Sequence, residues 1–327
     1  MKTYAATFVA GTEQVIERQL KQLPIQSLKI TYTDESLVVF ESIFPPDRII
    51  DFAFFNNTFL VFAETTARPT DSDNDMIERL YINNSSDMRL EESNIKFIIN
   101  DSGEPRSTEK IEPEAIWKLK NSFTMSEQGL NELWLIQRRD NKIWLAQRLN
   151  RPLFKRSKRP AGALRPELAH ILGLIAGVKS RDVVLDLFSG HGSVSKEIAR
   201  GFAPKKVIAA DIDSKKMEKL EKTKQRGLLV IRSDVKNLPL EPNSIDKILA
   251  DPPWGRYQKN DNLTDIYEAM ITVIAKVLKQ GGVAVILSPE DEMMQAIFAK
   301  SSELSLIKSY SILVSGQKAN IYKLLRN

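Results

Sequence analysis

Val183-Val184-Leu185-Asp186-Leu187-Phe188-Ser189-Gly190-His191-Gly192-Ser193 reads as a strand, a glycine turn and the start of a helix. The strand part, 183–188, is nearly all apolar, as expected of a strand covered on both faces of a parallel sheet. Working outward toward the C-terminus, strands are expected at 206–211, 228–232, 246–250 and 283–288. Helices are expected at 193–200, 214–223, 263–278 and 291–300. Strand and helix in alternation imply a parallel, doubly wound α/β sheet of Rossmann-like form. The end of the chain departs from that rhythm. Residues 306–314 and 320–325 are two strand-like runs separated only by 315–319, so they form a hairpin and the last strand runs antiparallel.

Outward in the other direction, 148–165 is a compositional break. Every charged residue in it is basic: Arg148, Arg151, Lys155, Arg156, Lys158, Arg159 and Arg165. Pro152 and Pro160 interrupt any continuous helix, and the stretch reads as a linker. Before it, 1–66 gives strand 4–10, helix 13–23, strands 28–32 and 37–40, a helix over 48–55 opened by Pro45-Pro46-Asp47, and strand 60–63. That βαββαβ order is ferredoxin-like, a pattern that hosts many functions. The next piece, 67–147, is polar at first, with a helix at 76–82, a strand at 95–99, a helix at 112–123 and a hairpin of 133–137 with 143–147. The expected domains are therefore 1–66, 67–147, the basic linker 148–165, and 166–327.

The chain has 327 residues, 42% of them hydrophobic and 27% charged, and no cysteine. Without cysteine there are no disulfides, thiolate zinc sites or Cys nucleophiles. Two histidines, His170 and His191, leave little for a His-built metal site, and no metal is expected. No secretory leader and no apolar run of about 18 residues is visible, so a cytoplasmic location is expected. The net charge of +5 is compatible with a plain soluble surface or with a polyanionic partner.

The chemistry-bearing positions lie where strands end. Gly190 and Gly192 let a ligand approach the backbone, but Ser195 stands where a dinucleotide-binding loop has its third glycine. Asp186 at the strand end would repel a pyrophosphate; it suits a ligand with an ammonium group, as S-adenosylmethionine has. Asp211, ending the second strand, can hold both ribose hydroxyls. Asp213 reads as the cap of the helix from Ser214. At Asp234 a turn former is one reading; the other, an adenine contact, is what a resemblance to class I methyltransferases implies. Asp251-Pro252-Pro253-Trp254 follows the fourth strand. An exocyclic amine of a nucleobase is a poor nucleophile, its lone pair being delocalised into the ring. A carboxylate from Asp251 and the carbonyl of Pro252 can accept its two N–H groups and orient it. Pro253 stiffens the turn, and Trp254 can stack on a base drawn out of its helix. Amine methylation needs no covalent Cys intermediate, which agrees with the composition.

The C-terminal half resembles the THUMP-associated class I S-adenosylmethionine-dependent RNA (guanine-N2) methyltransferases. The resemblance runs over about 160–327. It is carried by Gly162-Ala163-Leu164-Arg165-Pro166-Glu167-Leu168-Ala169, the Asp186 motif, Asn237-Leu238-Pro239-Leu240, Asp251-Pro252-Pro253-Trp254-Gly255-Arg256 and Val314-Ser315-Gly316. It implies a class I methyltransferase fold. It also implies further cofactor contacts from Arg165, Pro166, Phe188, Ser189, Ile212 and Val235. The N-terminal half looks like that family's ferredoxin-like and THUMP RNA-binding region, on element order alone. The chain departs from the family pattern in Leu187, Ser193 and Trp254, where Pro, Thr and Tyr are commoner.

What the resemblance implies is methylation of guanine N2 in structured RNA, most readily tRNA. Arg148, Arg151, Lys155, Arg156, Lys158 and Arg159 would then lie on phosphates. Trp254 also suits an adenine-N6 methyltransferase on RNA or DNA. A non-catalytic RNA-binding protein with a relic methyltransferase domain, and an enzyme acting on a protein glutamine amide, are the further alternatives. The intact Asp251 argues against both.

Overall fold

In a computed structural model of the chain, the described residues are 1–24, 26–68, 71–82, 95–101, 104–106, 131–149, 160–255 and 263–327. They fall into two compact units. One is Met1–Thr7 with the chain from Leu20 through Leu149; the other is Phe8–Gln19 with the chain from Pro160 onward.

The first unit is built on one eight-stranded sheet. Its strands are β1 (Lys2–Thr7), β2 (Leu28–Thr33), β3 (Leu37–Ser42), β4 (Asn57–Thr66), β5 (Ile95–Asp101), β6 (Glu104–Arg106), β7 (Asn131–Gln137) and β8 (Lys142–Leu149). They lie in the order β2-β3-β1-β4-β8-β7-β5-β6. The first four have the ferredoxin-like arrangement, with β1 between β3 and β4. β4 is longer than the pattern 60–63 suggests, and it pairs antiparallel with β8 from Thr58↔Leu149 to Thr66↔Lys142. The two small pieces read from the sequence thus share a sheet. Helix α2 is only Pro46–Ile50. The expected continuation to 55 is instead a turn in which Phe52, Phe54 and Phe55 pack on one another. Helix α3 is Asp73–Ile82. The helix expected at 112–123 lies outside the described residues. Ala5, Leu37, Val39, Phe59, Ile136 and Trp144 form an apolar core on this sheet.

The second unit contains helix α1 (Glu13–Lys21) as far as Gln19 and the α/β domain. Its strands are β9 (Val183–Asp186), β10 (Lys206–Asp211), β11 (Leu228–Arg232), β12 (Ile245–Ala250), β13 (Leu278–Ser288), β14 (Leu304–Val314) and β15 (Gln317–Arg326). The order is β11-β10-β9-β12-β13-β15-β14. β9 to β13 are mutually parallel, and β15 enters antiparallel between β13 and β14. The helices are α4 (Pro166–Ala176), α5 (Ser193–Gly201), α6 (Ser214–Glu221), α7 (Leu263–Val277) and α8 (Asp291–Lys300).

α7 buries Tyr267, Met270 and Ile274 in a core with Leu185, Ile248 and Ile286. Each fully buried side chain of this size contributes roughly 1.5–3 kcal/mol of transfer free energy. α4 has no counterpart among the helices that the sequence pattern predicts. Pro166 sits at its first turn, and Gly177, at φ 67°, ends it in the left-handed conformation. Its Leu168, Ile171, Leu172 and Ile175 are fully buried or nearly so. Among the described residues, no helix is long and apolar enough to cross a membrane.

Candidate active site

The parallel order reverses at β9, whose neighbours are β10 and β12. In open α/β sheets ligands bind in the crevice at such a point, beyond the carboxyl ends of the strands. The register brings the motifs of the sequence there. Ala209 and Leu249 flank Asp186 across the ladder, so Asp211 and Asp251, two residues further along, follow at the same sheet edge.

Asp186 ends β9 and is 1% exposed. Its Oδ2 accepts the Ser195 N–H at 2.9 Å, fixing the loop onto the start of α5. Its Oδ1 is buried and has no hydrogen-bond partner among the described residues. Burial pushes the carboxyl up to about 7 against the pull of the Ser195 hydrogen bond, and the charges of Asp251 and Asp211 add to the rise. An orphaned buried acceptor of this kind fits a ligand donor, and an ammonium group best.

The glycine loop is tied to β10. The Ser189 N–H donates to the Ala210 carbonyl at 3.0 Å, and the Gly190 N–H donates to Asp211 Oδ2 at 2.8 Å. Asp211 Oδ1 accepts the Asp213 N–H at 2.9 Å. Each oxygen of Asp211 keeps a lone pair, which is what a ribose diol requires. Gly192 stands at φ 75° before α5, where a Cβ would come within 2.4 Å of Leu220 Cδ1. Phe188 is half-buried behind this loop. Ile212, by contrast, is 63% exposed, an apolar surface next to the Asp211 turn.

Asp213 caps α6 through the Lys216 N–H, as its position suggests. Asp234 does the same for a short turn, Val235–Asn237, accepting the Lys236 N–H at 2.9 Å, with Val235 buried below it. The structure therefore gives Asp234 a turn-capping bond, and one oxygen remains over. Arg165 and Pro166 are exposed at the start of α4.

Asp251 follows β12. It keeps some exposure as a residue, but its carboxyl is desolvated, and burial pushes it up to about 7 although a Trp254 hydrogen bond pulls the other way. That bond is Trp254 Nε1–H to Asp251 Oδ1, 2.9 Å. The indole therefore lies folded back on the carboxylate. Asp251 Oδ2 and the Pro252 carbonyl have no hydrogen-bond partner among the described residues. Pro252 is buried, and Pro253 is exposed. The Pro253 carbonyl is held by the hydroxyl of Tyr267, a residue without a motif of its own.

Elsewhere, Arg148 pairs with Glu132 at 2.8 Å. Arg151, Lys155, Arg156, Lys158 and Arg159 lie outside the described residues. Among the described residues no His, Asp and Glu side chains gather as metal ligands would. A cavity of about 470 Å³ opens at the opposite ends of the strands, lined by Val183, Lys206, Pro239 and Ile245, away from all these motifs.

Over its full length the chain is similar in fold to TrmN from Thermus thermophilus, with a TM-score of 0.78, 19% identity and 100% of both chains covered. SMU.472, solved in complex with SAH, aligns with a TM-score of 0.71 at 15% identity over 100% of this chain and 98% of that one. Among curated proteins, the tRNA (guanine(10)-N2)-dimethyltransferase of Methanothermobacter thermautotrophicus is 31% identical over 141 residues, 40% of this chain and 41% of that protein. The tRNA (guanine(6)-N2)-methyltransferase of Thermus thermophilus is 31% identical over 146 residues, 42% of this chain and 44% of its own length. The U6 snRNA (guanine-N(2))-methyltransferase THUMPD2 of Mus musculus is 30% identical over 148 residues, 44% of this chain but 28% of its own length. The chain thus spans less than half the length of each of these curated relatives. The family model described as UPF0020, RMKL-like, methyltransferase domain matches residues 154–320, just over half of the 327 residues, and the chain belongs to that family.

Proposed function

We propose that this protein transfers a methyl group from S-adenosylmethionine to the exocyclic N2 of guanine in structured RNA, with tRNA the first substrate to test. The carrying observation is that, among the described residues, Asp251 Oδ2 and the Pro252 carbonyl stand without partners at the strand ends, beside the glycine loop. Two acceptors suit the two N–H groups of an exocyclic amine. The three carboxylates Asp186, Asp211 and Asp251 disfavour an anionic nucleotide and favour a cationic ligand. The names of the relatives agree: each acts on guanine N2 of an RNA.

When bound, the donor supplies an electrophilic methyl. Asp186 Oδ1 would receive its ammonium, the two oxygens of Asp211 its ribose hydroxyls, and Ile212 would offer an apolar surface to its adenine. Asp251 and Pro252 would hold the amine with its lone pair toward the methyl. As the new N–C bond forms and the donor's S–C bond breaks, the amine sheds a proton that ionised Asp251 can take. Asp251 Oδ2 can do this while Oδ1 keeps the Trp254 N–H; stacking of the indole on the base would require that bond to open.

The test is incubation of the purified full chain with labelled S-adenosylmethionine and bulk tRNA, rRNA and small nuclear RNA, followed by nucleoside mass spectrometry. N2-methylguanosine is the expected product. N6-methyladenosine would move the reading to the adenine enzymes, which Trp254 also suits. No methylated nucleoside at all would overturn it. Asp251→Ala should lower kcat by about 10²–10³-fold, the scale of a lost transition-state contact, while cofactor binding persists.

A further inference from the structure

A buried chain of hydrogen bonds runs behind the Asp251-Pro252-Pro253-Trp254 turn. The Glu290 N–H donates to Ser288 Oγ at 3.1 Å. Ser288 Oγ lies 3.0 Å from the Tyr267 hydroxyl, and that hydroxyl donates to the Pro253 carbonyl at 3.2 Å. Proton counting fixes its direction. The Pro253 carbonyl can only accept, so the single phenolic proton points at it. Ser288 must then give its own proton to Tyr267 and accept from Glu290. Every member of the chain is satisfied, and the direction is the same throughout, so each bond polarises the next.

The position matters as much as the bonding. Tyr267 and Ser288 are fully buried, from different elements: the second turn of α7 and the last residue of β13. Neither belongs to the motif at the end of β12. Pro252 and Pro253 have no backbone N–H, so this turn has few ways of being anchored through its own backbone. The Tyr267 hydroxyl supplies an anchor from beneath, one residue from Trp254 and two from Asp251.

We propose that Tyr267, oriented by Ser288, is a positioning residue that holds the Asp251–Trp254 turn in the geometry needed to present its two acceptors to the amine. It touches neither substrate nor donor. The proposal rests on the methyl-transfer reading for its effect on turnover, but not for its effect on the turn.

The variant is Tyr267→Phe, which keeps the ring in the core and removes only the hydroxyl. With full-length protein and bulk RNA, kcat should fall on the order of ten- to a hundredfold, as displacements of about an ångström near a reacting centre do. The Kd for S-adenosylmethionine and the KM for RNA should stay within about twofold of wild type. Ser288→Ala should cost less, because Tyr267 keeps its own donor to Pro253. The double variant should be no worse than Tyr267→Phe, as expected of two groups in one chain. A kcat equal to wild type in Tyr267→Phe overturns the proposal, and so do losses that simply add.

A second measurement needs no turnover. The four tryptophans are labelled as 5-fluorotryptophan, and the Trp254 resonance is assigned with Trp254→Phe. In Tyr267→Phe that resonance should shift or broaden while the other tryptophan resonances stay in place, which also reports an intact fold. An unmoved Trp254 resonance overturns the positioning role. If wild type methylates no RNA, the methyl-transfer reading fails, and this resonance still decides whether Tyr267 holds the turn.

Discussion

Asp186 shows how one side chain can link cofactor affinity to pH. Its carboxyl is pushed up to about 7 by burial first, with the charges of Asp251 and Asp211 adding to the rise. Below that value the folded protein carries it protonated, and a neutral acid receives an ammonium group poorly. Affinity for S-adenosylmethionine should therefore rise with pH up to about 7 and level off above it, with about one proton released per molecule bound on the acid side. Stability of the free protein has the opposite sign. The folded state holds this proton more tightly than the ordinary value of 3.8 requires, so its contribution is greatest at low pH and declines between about 4 and 7. Calorimetry across pH 5.5–8.5 in two buffers of different ionisation enthalpy checks the linkage. Asp186→Asn should bind weakly and flatten the profile; an unchanged profile in that variant would assign the proton to another group. At this scale the sequence was informative where a side chain serves its own neighbourhood. Asp213 caps the helix it precedes, and the Asp211 carboxylate meets the glycine loop. Tyr267 and Ser288 could not be read. In the sequence one is a core residue of a helix and the other ends an apolar strand, and only the fold brings them under Pro253.

At the scale of elements, the junction of the glycine loop with α5 is the most constrained. Gly192 is in the left-handed region at φ 75°, and an added Cβ would meet Leu220 Cδ1 of α6 at 2.4 Å. Leu220 has a flexible end and can yield, but the backbone conformation cannot be relieved so easily. Gly192→Ala should cost about 1–3 kcal/mol of stability, the range for a non-glycine residue held in such a region. It should also weaken cofactor binding, because relaxing the turn moves the Gly190 N–H away from Asp211. Urea unfolding and calorimetry on the same preparation check both, and wild-type values for the two together would show that the turn accepts a side chain. Elements with clear periodicity are legible: the alternation from β9 to α8, the start of β13 excepted, and the closing hairpin stand close to where the pattern puts them. α4 is not legible in the sequence because its run Leu168–Ala176 is apolar nearly all round, and a helix without a polar face has no period to detect. Its caps, Pro166 and Gly177, were the available signal. β13 begins at Leu278 rather than near 283 because the strand continues through Gly281-Gly282, residues that sequence patterns read as a turn.

For the whole molecule, chain order and compact units do not coincide. Phe8–Gln19 belongs with the C-terminal unit: the Gly11 backbone lies so close to the Ser311 carbonyl that a Cβ would fall 2.0 Å from its oxygen, and Arg18 donates to the Leu174 carbonyl. A βαββαβ pattern in the sequence does not reveal this, since local periodicity carries no information about which distant surface a helix covers. We propose that the basic stretch 148–165, whose first two residues are not linker but the end of β8, joins an RNA-gripping half to the catalytic domain and lies on phosphates. If so, binding should weaken steeply with salt, and each phosphate contact removed should lower the log–log slope by about 0.7–0.9. Arg156, Lys158 and Arg159 changed together to Ala should flatten that slope, weaken binding to all RNAs alike and leave cofactor affinity unaltered. Arg148 provides the comparison. Its guanidinium is already paired with Glu132 at 2.8 Å and lies over the Trp134 ring, so its charge is largely spoken for. Arg148→Ala should change the slope much less than any one of the other three. Filter binding from 50 to 300 mM salt distinguishes the cases. A triple variant with the wild-type slope would make the stretch a linker only and move the RNA path to the surface of the eight-stranded sheet; a steep loss from Arg148→Ala alone would mean that the ion pair with Glu132 opens when RNA binds.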